Sequence, residues 1–310
     1  MKKVKIKSLL PWQVKVIIKL LISRLPFAYK FWRSLGIFVH GKMDNSAYAY
    51  DVYRKCFDLA GIKKQDYYVL EIGPGDSLAT AIVSREFGAS KVWLLDEGDY
   101  ASRDMNLYKM VNEHVKKSIA ADNSYNPFDY KNTGEMLQHY NAVYLTQGLR
   151  SFVEISDESV DFIFSNAVLE HISKNEFKLF LRETNRVLTS DGVCVHCVDL
   201  MDHLAYALNH LRFSEKFWQS GFIRRGGFYT NRIRYGEMLD IFVETGFNVS
   251  TENVVRWNLL PTAREKMNEK FKILSEDDLL VSSFTVILKK ACGNSHSKVT
   301  PKVIDIASLL

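Results

Sequence analysis

The strongest constraint on this chain is a short apolar run that stops on glycine. Tyr67-Tyr68-Val69-Leu70-Glu71-Ile72 is rich in strand-forming side chains, and Gly73-Pro74-Gly75 follows at once. Such a run reads as a buried strand entering a tight turn. Asp76 or Ser77 is placed to cap a helix reaching about Phe87, and Gly88 ends it. The same unit then recurs. Lys91-Val92-Trp93-Leu94-Leu95 is a second strand ending at Asp96, followed by helix-like sequence from Ser102 to Ala120 and a polar insertion holding Pro127. Ala142 to Thr146 and Val160 to Phe164 are strands, the latter ending at Ser165-Asn166. A helix from about Lys174, closed by Ser190-Asp191-Gly192, leads to a strand from Val193 to Val198. A helix from about Tyr235 to Thr245 and strands from Phe247 to Val255 and Leu280 to Leu288 complete the pattern. Strands alternating with helices predict an α/β fold, a doubly wound and mostly parallel sheet with helices on both faces. The pairing sense of the last two strands stays open.

A composition of 47% hydrophobic and 25% charged residues supports an ordinary globular core and excludes disordered and collagen-like chains. Cys56, Cys194, Cys197 and Cys292 are too few for a disulfide scaffold of this length, which predicts a reducing cytoplasmic setting. Cys194 and Cys197 lie three apart on an alternating strand, so their thiols point to opposite faces and do not form a CxxC metal or redox site.

Charge is unevenly placed. Ten of the 41 Lys and Arg residues fall between Met1 and Met43, a stretch without acid, so the other 31 face all 36 acidic side chains. This basic arm is also apolar, but Pro11, Lys15, Lys19 and Pro26 interrupt it, so it does not span a membrane. It lacks the unbroken apolar core of a secretory signal. An amphipathic helix from about Trp12 to Leu25 remains, which either lies in a membrane interface or packs on the body. Residues 1–60 therefore read as a basic amphipathic helical arm or cap and 61–290 as the main domain. Residues 200–234 read as a lid insertion after the fifth strand, 257–279 as a second insertion, and 291–310 as a weakly ordered tail.

In open α/β sheets, ligands bind beyond the carboxyl ends of the strands. The glycines after the first strand let the backbone approach a ligand closely. A dinucleotide fold would want glycine three residues beyond Gly75, where Leu78 stands, so NAD and FAD are disfavoured. Asp96, at the second strand tip, is a carboxylate placed to accept both hydroxyl hydrogens of a ribose.

The ordered set Val69-Leu70-Glu71-Ile72-Gly73-Pro74-Gly75, Leu94-Leu95-Asp96, Asp161 to Ile172 with Leu169-Glu170-His171, and Leu181 to Leu188 followed by Asp191-Gly192 resembles a class I S-adenosylmethionine-dependent methyltransferase of the small-molecule type-11 branch. The resemblance covers roughly Tyr67 to Val198 and implies a Rossmann-like fold and S-adenosyl-L-methionine as cofactor. By that likeness Glu71 would sit near the cationic amino end of the cofactor, and Gly73 and Gly75 would pass under its methionine part. Asp96 would hold the ribose, Asn166 would line the pocket by the sulfonium, and Ser165 would shape that turn. Two departures stand out. Ser77 occupies the third glycine position, and Thr146-Gln147-Gly148 replaces the acid often found after the third strand, leaving adenine to Gln147 or backbone groups.

For a hydroxyl acceptor, a histidine near neutral pKa is the usual base. His171 and His203 are the two candidates, His203 preferred because the family motif does not account for it. Asp199, Asp202 and His203 lack a further ligand run, so no metal is expected. Between Leu211 and Tyr235, arginines alternate with aromatics, and Arg232, Tyr235 and Trp218 are candidate substrate contacts suited to a glycan bearing carboxylate or phosphate. The expected partners are a small-molecule or glycan substrate, such as a cell-envelope polysaccharide or lipid-linked precursor, with peripheral membrane contact through the arm. Two alternatives stand beside this reading. One is a non-catalytic cofactor- or partner-binding protein on the same fold. The other is a nucleic-acid methyltransferase, disfavoured because Ser165-Asn166-Ala167-Val168 replaces the Pro-Pro-Tyr turn of amino-group methylases.

Overall fold

The computed structural model describes residues 12–14, 16, 45–119, 129–203, 205–224 and 227–291. A seven-stranded sheet has the order β3-β2-β1-β4-β5-β7-β6, formed by β1 (Tyr67–Ile72), β2 (Ala89–Leu95), β3 (Ala142–Leu145), β4 (Val160–Asn166), β5 (Leu188–Asp199), β6 (Phe247–Arg256) and β7 (Val281–Lys290). The first five strands are parallel. β7 is antiparallel to both neighbours and inserted between β5 and β6, which answers the open pairing question.

Side-chain alternation splits the core into two layers. Tyr67, Val69, Val92, Leu94, Phe162 and Phe164 face α1 (Ser46–Ala60), α2 (Thr80–Glu86) and α3 (Met105–Ile119). Leu70, Ile72, Trp93, Leu95 and Ile163 face the opposite way, toward Phe177 and Leu181 of α5 (Lys174–Val187) and Met238 and Phe242 of α6 (Tyr235–Glu244). α4 (Thr133–His139) lies between α3 and β3. Helix α1 is integral to the first layer. Tyr53 is fully buried, its hydroxyl 2.6 Å from that of Tyr67 and its ring edge-on to Phe162 and Phe164. The expected division at residue 60 therefore falls inside a continuous core. Asn45 caps α1 by accepting from the N–H groups of Ala47 and Tyr48, and Gly61 ends it in the left-handed region.

Several expectations shift in detail. α2 begins at Thr80 with no side-chain cap on its N-cap residue Ala79, while Ser77 accepts from Ala79 N–H in the turn before it. β5 starts at Leu188, straight from α5, so Ser190-Asp191-Gly192 lies within the strand and its register against β4 slips there. Cys194 and Cys197 do point into opposite layers.

The two insertions pack on each other, Leu208 and Leu211 of the first against Met267, Phe271 and Leu279 around the second. Arg234, 1% exposed, ties this region to the sheet. Its guanidinium donates to the carbonyls of Leu200, Asp278, Leu279 and Val281 at 2.6 to 3.1 Å. Of the expected arm helix, Trp12 packs edge-on to Phe213 and Val16 is buried beside Trp218, Ile223 and Phe228. The rest of that helix, the Pro127 stretch and the tail beyond Ala291 lie outside the described residues. Among the described residues, no helix is long and apolar enough to cross a membrane.

Candidate functional site

Parallel register brings the strand tips level. Ile72 pairs with Leu95 and Ser165, and Leu95 with Leu145. The residues just beyond therefore converge on one edge: Gly73 and Gly75 from β1, Asp96 from β2, Gln147 from β3 and Asn166 from β4. Backbone hydrogen bonds fix the loops across this edge, Gly73 N–H to Leu95 carbonyl at 2.8 Å, Asp96 N–H to Leu145 at 2.8 Å and Gly148 N–H to Asp96 at 2.9 Å.

Gly73 has a φ of +71°, and a Cβ there would lie 2.5 Å from Cγ2 of Val168 in the loop after β4. Glycine thus brings two loops together where any side chain would push them apart. Asp96 is held by N–H groups from both sides, Gly75 donating to Oδ2 at 2.9 Å and Glu97 to Oδ1 at 2.7 Å. Burial pushes its pKa up to about 6, with those two bonds pulling down and Glu97 and Asp76 adding repulsion. Glu71 is more extreme. It is 3% exposed, and its Oε2 has no hydrogen-bond partner among the described residues. Burial pushes the carboxyl up to about 8, the nearby Thr80 hydroxyl pulls the other way, and Asp96 raises it further. Two carboxylates driven toward protonation, one with an orphaned oxygen, form a pocket suited to a cation bearing hydroxyl groups. An S-adenosylmethionine-like ligand, cationic at its amino end and sulfonium and carrying a ribose, fits this donor set.

The other expected cofactor residues are placed as follows. Gln147 is exposed at the tip of β3, its N–H donating to Ser151 Oγ at 3.0 Å. Asn166 donates from Nδ2 to the Tyr48 hydroxyl at 3.1 Å. Tyr48 of α1 was not anticipated, since nothing in its surroundings marks a tyrosine far upstream as part of the edge. Ser165 is fully buried and 2.8 Å from Nδ1 of buried His196, whose pKa burial lowers to about 3. Ser165 therefore shapes the floor beneath the edge from inside the sheet.

Beyond β4 the chain makes a short 3₁₀ turn, Leu169–His171. The segment Tyr229 to Asn231 is stitched across it. Asn231 N–H donates to the Glu170 carbonyl at 2.7 Å, and Asn231 Nδ2 to the Leu169 and Ile172 carbonyls at 2.8 and 3.1 Å. His171 Nδ1 lies 2.7 Å from the Tyr229 carbonyl, which can only accept, so that nitrogen carries hydrogen and Nε2 presents a lone pair. Nε2 of His203 is 3.0 Å from it. The loop bearing His203 is held by buried Asp202, which accepts from the N–H groups of Ala205 and Asn209. The two histidines chosen as alternative bases are thus one pair.

Glu170, buried beside this pair, has neither carboxylate oxygen hydrogen-bonded among the described residues. The sequence pattern showed Glu170 without assigning it a role. It also lines a small enclosed cavity with Asp199, His210, Thr230, Arg232 and Arg234, which leaves about 10 Å³ for the centre of a water molecule.

The three expected substrate contacts do not present themselves to this edge. Trp218 is buried and donates to the Thr230 carbonyl at 2.7 Å. Tyr235 packs edge-on to Phe284 with its hydroxyl toward Thr251. Arg232 lines the cavity, but its Nη atoms bind the His210 and Phe213 carbonyls and Glu215. Aromatic and arginine side chains that look like a ligand surface in sequence here fasten the insertion to the body, because their polar ends are taken up by carbonyls and side chains of the protein itself.

Residues 70–196 match the family model described as a methyltransferase domain. No curated protein matches the chain. Among solved structures, it is similar to a Haemonchus contortus phosphoethanolamine N-methyltransferase 2 in complex with phosphomonomethylethanolamine and S-adenosylhomocysteine, at 16% identity and TM-score 0.43, covering 78% of this chain and 53% of that one. The YcgJ protein of Bacillus subtilis is 16% identical at TM-score 0.42, covering 80% and 100%. An arsenic(III) S-adenosylmethionine methyltransferase of Chlamydomonas reinhardtii is 15% identical at TM-score 0.40, covering 74% and 65%. This chain spans about half the length of the Haemonchus protein.

Proposed function

We propose, from the premise that residues 70–196 are a class I S-adenosylmethionine-dependent methyltransferase domain, that this chain transfers a methyl group to a small-molecule or glycan acceptor. The acceptor is brought to the carboxyl edge of β4 and β5. The observation that carries the reading is Glu71, a buried carboxylate with an unpartnered oxygen beside a glycine turn and a second raised carboxylate. When bound, the cofactor supplies an electrophilic methyl group at a sulfonium. The chain's residues bind and align. Glu71 meets the cationic amino end, Gly73 and Gly75 pass beneath the methionine part, and Asp96 accepts the ribose hydroxyls. Gln147 serves the adenine side, Asn166 borders the sulfur, and Ser165 shapes the turn beneath it. For a hydroxyl acceptor, the proton is taken at the His171 and His203 pair, with His203 preferred, and most of the remaining work is alignment.

The reading extends to a cell-envelope glycan or lipid-linked precursor as acceptor and to a cytoplasmic setting with peripheral membrane contact. Support for the membrane contact is the charge of the arm, ten basic side chains and no acid in 43 residues. The packing of Trp12 and Val16 on the body favours the alternative at those two positions. Anionic vesicles at low salt should sediment the full chain and not one lacking Met1 to Leu25; a full chain that stays in solution ends the membrane reading.

Calorimetric titration tests the cofactor. Wild type should bind S-adenosylmethionine, and Asp96→Ala should weaken binding by roughly 10- to 150-fold through loss of charge-assisted hydrogen bonds. No binding to wild type, or NADH binding in its place, refutes the assignment.

A further inference from the structure

Glu170, His171 and His203 place one carboxylate and two imidazole donors within 4.8 Å of one another. We propose that these three side chains form a binding site for a divalent first-row transition metal ion, with an open coordination position at the sheet edge for an oxygen of the acceptor. Only the last clause rests on the methyltransferase reading.

Three observations converge. The Glu170 carboxylate is 1% exposed, and neither oxygen has a hydrogen-bond partner among the described residues. A carboxyl so buried is held neutral by its proton, paired, or bound to a metal, and burial here pushes its pKa well up. The guanidiniums nearest in the cavity, those of Arg232 and Arg234, direct their Nη atoms to carbonyls and to Glu215, and their Nε–H groups line the same cavity without reaching the Glu170 carboxylate. Second, the Tyr229 carbonyl fixes the His171 tautomer with the lone pair on Nε2, the outer hydrogen bond that metal-bound imidazoles characteristically make. Third, the two Nε2 atoms face each other at 3.0 Å, a separation at which a pair shares one proton or one ion. An ion at the usual zinc-to-nitrogen distance of about 2 Å from both would subtend roughly 90°, and a small swing of the His203 loop widens that toward tetrahedral.

Donor chemistry selects the class of ion. Two imidazoles and one carboxylate suit zinc or iron(II) rather than calcium or magnesium, which take mainly oxygen ligands. His171 is exposed on one side, giving the ion a path in and leaving a position unfilled by protein. With an ion bound, the two imidazoles would be ligands in place of a base, and the ion would acidify the acceptor's hydroxyl so that its proton passes to solvent water at the exposed side of the edge.

The test uses the full chain, stripped with chelator and dialysed, and the metal alone. Zinc should bind at one per chain by equilibrium dialysis with micromolar or tighter affinity, and cobalt(II) should give the visible absorption of a low-coordinate site. Glu170→Gln and His203→Ala should each weaken zinc by 100-fold or more while their melting temperatures confirm folding. Should either variant not fold, His171→Ala, exposed on the edge, supplies the same comparison. Wild type that takes up less than half an equivalent at 50 μM zinc overturns the proposal, as does a folded Glu170→Gln that binds like wild type. The same samples are titrated with S-adenosylhomocysteine. Loss of that binding with zinc retained refutes the methyltransferase reading and leaves the metal site standing, whereas the converse removes the site alone.

Discussion

Glu71 makes a prediction that runs against the usual effect of a conservative mutation. Its carboxyl, ordinarily near 4.5, is pushed to about 8 by burial and by Asp96. A group whose pKa is higher folded than unfolded holds its proton more tightly in the native state. The stabilisation is whole below the unfolded value and is lost as pH rises through the folded one. Between pH 4.5 and 8 the cofactor-free protein should therefore lose about tenfold in its folding constant per pH unit from this residue, about 5 kcal/mol in all. Glu71→Gln keeps the shape and has no proton to lose. Urea unfolding followed by tryptophan fluorescence, from pH 5 to 9, gives the difference between the two proteins, and titrations common to both cancel. The variant should gain steadily on wild type as pH rises and exceed it at pH 8.5, while binding S-adenosylmethionine at least tenfold more weakly. In wild type the cofactor should stabilise more above pH 7 than below, because its cationic end meets the carboxylate. Parallel stability curves would refute the reasoning by showing that Glu71 ionises as though exposed.

His203→Ala should lower turnover by about 10² to 10⁴ with cofactor affinity nearly unchanged, checked by single-turnover kinetics and calorimetry; unchanged rates would place proton removal elsewhere. Arg234→Met leaves four carbonyl contacts unmade around Leu200 and Leu279, and should cost about 3 kcal/mol or more, read as a fall in urea midpoint. A midpoint within error of wild type would show that water replaces the guanidinium without loss.

The sheet was legible where strands are local and end on distinctive residues. β1, β2 and β4 each combine an apolar run with a tip of glycine, aspartate or asparagine, so their positions and the convergence of those tips on one edge were readable together. Strand direction was not, because alternation encodes which face is buried and not which neighbour is chosen; hence β6 and β7 were found without their pairing. α4 escaped notice because seven residues containing Gly134 carry little periodicity. It is held by Asn132 accepting from Glu135 N–H, a local cap that sequence alone weighs lightly. Arg232, Trp218 and Tyr235 misled for another reason. An arginine or aromatic in sequence does not disclose whether its polar end meets solvent or a carbonyl twenty residues away. Glu170 and Tyr48 needed the folded turn and the returning helix to acquire their neighbours.

The insertion of β7 between β5 and β6 sets an order of events during synthesis. β5 ends at Asp199, the next residue donates from its N–H to the Ser282 carbonyl, and the strand's own partner runs from Val281 to Lys290. For the roughly 10 seconds a ribosome needs to add those intervening residues, β5 is an open edge with unpaired backbone groups. Arg234 has by then been made, but three of its four carbonyl partners, Asp278, Leu279 and Val281, have not. The half of the edge that bears Gly73, Gly75 and Asp96, built from strands already in hand, can assemble on the nascent chain, while the half bearing His203 waits for the last strand. A stalled or truncated product ending before Val281 would thus combine a nearly finished glycine and Asp96 edge with an exposed, aggregation-prone strand.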